Sequence, residues 1–143
     1  MTRPAIFLPD VNVLVAAHIQ SSKHHVVASQ WFDSRPVFAT CALTETGMVR
    51  ALSSTAVNPT GNVLLALTAL SRLRMEPGAI FWPDDSTLTA PFIDTTKMAG
   101  TRQVPDFHLL NLAASRGAVL VTTDARIETS IASSDRKHLL VLR

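Results

Sequence analysis

A single cysteine, Cys41, among 143 residues leaves no disulfide framework and no thiolate metal site, and fits a reducing cytosol. Charge is sparse: Asp, Glu, Lys and Arg make up 17% of the chain and leave a net charge of only +2. No strong overall field therefore favours nucleic acid. There are only 5 glycines, and no GxGxxG follows the first apolar run, which argues against a dinucleotide-binding domain. The longest helical apolar segment, NVLLALTAL at 62–70, falls far short of the roughly 20 residues of a membrane span. An apolar stretch follows Arg3, but Asp10 and Asn12 interrupt it, unlike a signal peptide. Repeats, low-complexity tracts and linkers are missing as well. A cytoplasmic protein with no membrane segment is expected.

The hydrophobic fraction is 47%, which argues for a well-buried sheet and against disorder. The length suits a single domain over 1–143. Of the 13 basic residues 10 are Arg, the side chain suited to bidentate phosphate contacts and to ion pairs.

Short apolar runs alternate with longer helical patterns, the signature of a parallel α/β sheet. The predicted strands are 5–8, 36–40, 79–83, 118–123 and 138–142. The predicted helices are 11–18, 24–34 (Val27, Trp31 and Val26 toward the sheet), 42–52, 60–74 and 105–116. A short helix after Asp84-Asp85-Ser86, through Phe92, and another after Asp124 complete the set. Pro105 suits a helix's first turn, and Gly117 stops that helix.

Four of the 11 acids stand where solvated acids are not expected. Asp10 and Asp124 follow two predicted strands, at the carboxyl ends that line the ligand crevice of an open parallel sheet. They face one crevice if their strands are neighbours. Glu45 shares a helical stripe with Met48, Val49 and Leu52, and Asp106 one with Leu109, Leu110 and Ala113. Each also has a structural reading: Asp10 and Asp124 as helix caps, Asp106 as a first-turn acid. Glu45, inside its helix pattern, resists that reading most. A carboxylate on an apolar stripe needs a partner, and neither stripe carries a cation near its acid. One divalent cation would serve all four. Clustered oxygen ligands select Mg²⁺ or Mn²⁺, and the five histidines lack zinc-ligand spacing. Such an ion serves phosphoryl chemistry, with Asn12 and Thr122 or Thr123 as supporting polar groups.

Asp10-x-Asn12 after strand one, Thr44-Glu45, Asp106 opening a helix and Thr122-x-Asp124 after a strand together resemble the PIN domain nucleases. PDVNVLVA, FATCALTETGMVRALS, FWPDD and VPDFHLLNLAASRGAVLVTTDARI look like the VapC toxins of prokaryotic toxin–antitoxin modules, in order and over essentially the whole chain. The resemblance implies a three-layer α/β/α sandwich around a parallel sheet of four to five strands. It implies Mg²⁺- or Mn²⁺-dependent endoribonuclease activity, homodimerisation and inhibition by a VapB-type antitoxin. By position Asp10, Glu45, Asp106 and Asp124 match the family's acidic site, and Asn12 and Thr122 its supporting positions. Arg50, Arg102, Arg116 and Arg126 flank these motifs as candidates for RNA phosphate contact or for ion pairs. The one departure noticed, Pro105 before Asp106, is compatible with a helix start.

Two other classes compete. A receiver-like aspartyl phosphotransferase also groups acids at strand ends, but it needs a cationic Lys nearby. None of Lys23, Lys97 and Lys137 stands at a predicted strand end in the crevice, and Asp10-Val11-Asn12 lacks a second acid. The other is a catalytically silent PIN-like binding module whose acids only engage a partner's Arg.

Overall fold

The computed structural model describes residues 3–143. Five strands form one parallel sheet: β1 (Ile6–Pro9), β2 (Val37–Cys41), β3 (Ala79–Trp82), β4 (Val119–Thr122) and β5 (Leu139–Val141). Their spatial order is β3-β2-β1-β4-β5. The chain runs outward from β1 to β3, then returns to β1's other side for β4 and β5. The switch in direction therefore falls between β1 and β4, where the crossovers leave a crevice.

Five helices cover the sheet: α1 (Val11–His18), α2 (His25–Asp33), α3 (Ala42–Ser53), α4 (Val63–Arg74) and α5 (Val104–Ser115). Successive strand residues point to opposite faces. Phe7, Phe38 and Val121 meet the α1–α4 layer, among Leu14, Ala28, Met48, Ala66 and Leu73. Leu8, Ala39 and Leu120 meet the α5 layer, among Phe107, Leu110 and Leu112. With both faces covered, the central strands have no polar alternation to show. The expected three-layer sandwich is present, with five strands.

Gly47 permits a close helix contact near the crevice. A Cβ there would lie 2.5 Å from Val11 Cγ2, so the Val11 side chain of α1 packs directly on the α3 backbone.

Three expectations fail. Residues 84–92 form no helix; 83–100 is irregular, bracketed early by Pro83 and Pro91. The acids expected to cap that helix make tertiary contacts: Asp84 accepts from His108 Nε2 at 2.7 Å and Asp85 from Arg116 at 3.0 Å. Buried Asn111 and Asp135 pin the same segment, taking the N–H groups of Phe92 and Asp94. Val26 points outward at 65% exposure, and Ala28 takes the sheet-facing position. α4 also starts later than expected, because Asn62 caps it by accepting the Leu65 N–H.

Candidate active site

Asp10 directly follows β1 and caps α1: its Oδ1 accepts the Val13 N–H at 2.9 Å. Its own N–H donates to Val121 O on β4, so the capping reading is correct and incomplete. Thr122 Oγ1 donates to Asp10 Oδ2 at 2.5 Å and accepts the Asp124 N–H at 3.1 Å. One β4 hydroxyl thus ties two acids from neighbouring strands. Of the two threonines, Thr122 reaches Asp10, while Thr123 lines a hollow with Asp124.

Asp10 is 3% exposed, and burial pushes its carboxyl up to about 6. The hydrogen bonds from Thr122 and Val13 oppose that rise, and the charges of Asp106 and Asp124 add to it. Asp106 stands in the first turn of α5, behind Pro105. Burial, then the charge of Asp124, holds its carboxyl above the ordinary range. Among the described residues it has no ion pair. Asp124 is held below the ordinary range, first by its hydrogen bond from Arg126.

The three aspartates stand along adjoining hollows. One of about 280 Å³ is lined by Asp10, Asn12, Thr46, Arg50 and Asp106. Another of about 430 Å³ is lined by Arg102, Gln103, Asp106, Asp124 and Arg126. A third of about 560 Å³ runs from Asp124 and Arg126 past Thr123 and Asn12 to Lys23 and His24. Asp10, Asp106 and Asp124 share these linings with Arg50, Arg102 and Arg126. A separate cavity of about 500 Å³ lies between the carboxyl ends of α1, α2 and α4 and contains none of the predicted residues.

Glu45 is placed differently from the expectation. It accepts from Thr40 Oγ1 at 2.6 Å and pairs with Arg74 of α4 at 3.7 Å. The missing cation on its stripe comes from another helix. Thr46 and Arg50, not Glu45, line the hollow beside Asp10. Arg116 also stands apart from the three hollows: it pairs with Asp85, donates to Pro83 O and lies 5.1 Å from the Trp82 ring centroid. Sequence reasoning missed Asn111, which holds Phe92 and Thr87 O from the core. A polar residue amid LLNLAA was the available signal.

The donor set fits a hard divalent cation. Carboxylate oxygens come from just beyond β1, just beyond β4 and the first turn of α5, and burial raises the proton affinity of two of them, Asp10 and Asp106. Among the described residues no three acids are drawn into one metal-holding cluster, and Asp124 is engaged by Arg126.

The chain has relatives among known proteins. Residues 7–129 match the PIN domain family. Ribonuclease VapC38 of Mycobacterium tuberculosis is 41% identical over 125 residues, 85% of this chain and 87% of that protein. Ribonuclease VapC39 of the same species is 37% identical over 127 residues, covering 86% and 91%. The chain is a PIN domain of the VapC family. The PIN fold extends further still: a chain of the VapBC2 complex from Rickettsia felis, solved with a DNA fragment from its promoter, superposes with a TM-score of 0.65. That match covers 96% of this PIN domain and 99% of the other chain at 11% identity, a likeness of fold alone.

Proposed function

We propose that this PIN domain is a metal-dependent endoribonuclease acting as the toxin of a VapBC-type pair. The observation that supports the proposal is that Asp10, Asp106 and Asp124 line adjoining hollows beside the switch point, with burial raising the carboxyls of the first two. Bound Mg²⁺ or Mn²⁺ supplies charge against a scissile phosphate and acidifies a water for attack on phosphorus. Asp10 and Asp106 would hold the ion, with Asp124, just beyond β4, as a further ligand. Thr122 keeps Asp10 Oδ2 aimed by its hydroxyl proton, and Asn12 orients water at the mouth. Glu45 completes the acidic set by leaving Arg74, a 3.7 Å pair with a half-exposed guanidinium. Arg50 and Arg102, in separate hollows, take RNA phosphates on either side of the cut.

A VapB-type antitoxin neutralises the toxin, with a basic side chain seated among the same acids. A second copy of the chain covers the outer face of α4, where Val63, Leu64 and Leu65 stand more than half exposed. Among the described residues no helix is long and apolar enough to cross a membrane, and the proposed workplace is the cytoplasm.

The test is cleavage of total RNA by purified protein in Mg²⁺, in Mn²⁺ and in EDTA, beside Asp10→Asn. Fragments that need metal and vanish in the variant support the nuclease. Cleavage that survives Asp10→Asn or EDTA refutes it, and tight antitoxin binding without any cleavage favours the silent binding module.

A further inference from the structure

Arg126 holds Asp124 in a two-pronged grip. Its Nε donates to Asp124 Oδ1 at 2.9 Å and its Nη2 to Oδ2 at 2.8 Å. Both carboxylate oxygens are thereby occupied, on the acid that the proposed function assigns to metal. The same Arg126 charge lowers the proton affinity of Asp106, so the guanidinium already does part of the electrostatic work of a cation. The grip is easily released, because the Arg126 side chain is 83% exposed and a pair so hydrated contributes little. Arg126 lies on the walls of both hollows that meet at Asp124, so a released side chain still points into the crevice. Its backbone anchors are independent of the guanidinium: the Arg126 N–H donates to Asp124 Oδ1 and Arg126 O accepts from Thr129.

We infer that Arg126 is the resident counter-cation of Asp124, displaced when a divalent cation binds and thereby freed to take a phosphate. The inference rests on the metal-holding reading of Asp10, Asp106 and Asp124. Metal binding has to break the fork, so the fork weakens metal affinity. By linkage, a phosphate that draws Arg126 away strengthens it.

The experiment is Mn²⁺ titration of the full chain, read by water-proton relaxation and without any turnover. Three proteins are compared: the parent, Arg126→Gln and Arg102→Gln. Arg102 lines the same hollow but has no ion pair among the described residues, so it reports through-space charge alone. Arg126→Gln is expected to bind Mn²⁺ about two- to fivefold more tightly than the parent, and more tightly than Arg102→Gln. Adding a 2′-O-methyl oligoribonucleotide is expected to tighten Mn²⁺ binding to the parent by more than it does for Arg126→Gln. Parent-like affinity in Arg126→Gln, or equal gains in both variants, overturns the inference and leaves the metal reading intact. No Mn²⁺ binding by any of the three overturns the metal reading and this inference with it.

Discussion

Asp10→Asn is expected to make the metal-free protein more stable near neutral pH, not less. In the folded chain burial raises the Asp10 carboxyl from an ordinary 3.8 to about 6. A folded state that holds its proton more tightly than the unfolded state loses stability as pH rises. Below 3.8 both states are protonated and nothing is lost; between 3.8 and about 6 the deficit grows; above that range it is constant. That interval corresponds to a cost of about 3 kcal/mol for the ionised site, a fifth or more of the stability of an ordinary domain. Asparagine stays neutral and can still accept the Val13 N–H as a cap. Urea unfolding of both proteins in EDTA, from about pH 4 to pH 7, reads the difference directly. The variant is expected to gain about 1–3 kcal/mol near neutral pH, with the margin shrinking toward zero at the acid end. Mg²⁺ is expected to stabilise the parent and leave the variant nearly unchanged. An Asp10→Asn protein no more stable than the parent near pH 7, or a margin that ignores pH, would refute the argument that Asp10 is an uncompensated buried charge.

Three further perturbations test the frame around the site. Thr122→Val removes the hydroxyl that opposes the rise in Asp10. It is expected to cost about 1.5–3 kcal/mol near neutral pH and less in acid, where Asp10 is protonated; a uniform loss across pH would deny the coupling. Gly47→Ala drives a methyl to 2.5 Å from the stiff Val11, next to Asp10. A loss of about 1–3 kcal/mol by thermal or urea unfolding is expected, and an unchanged midpoint would mean α1 and α3 separate freely. Asn111→Ala strips the Phe92 N–H and Thr87 O of their partner. It is expected to cost about 2 kcal/mol and to speed hydrogen exchange at Phe92 ahead of the sheet, whereas unchanged exchange there would mean 83–100 is held otherwise.

The individual elements were legible because each carries its own period. β1, β2 and β4 are apolar runs bounded by turn residues, and α3 and α5 show 3.6-residue stripes that do bury Met48, Leu52, Leu109 and Leu110. Asp106 and Glu45 stood out against those stripes for the same local reason. The segment at 84–92 misled because a cap motif is local while its competitors are not: His108 and Arg116 reach Asp84 and Asp85 from α5 and the turn beyond it.

The sequence by itself determined which acids this PIN domain places at strand ends and on apolar helix stripes. Burying a carboxylate there is costly without a partner, and that cost follows from residue type and local pattern alone. Tertiary structure decided which acids share the site and which cations answer them. Asp10 and Asp124 meet because β4 pairs with β1, a register set by packing between segments more than a hundred residues apart. Glu45 turns to Arg74 and Arg116 to Asp85 because side chains choose partners by distance in the folded chain. Periodicity holds no trace of those distances, since neighbours across a sheet are unrelated in sequence.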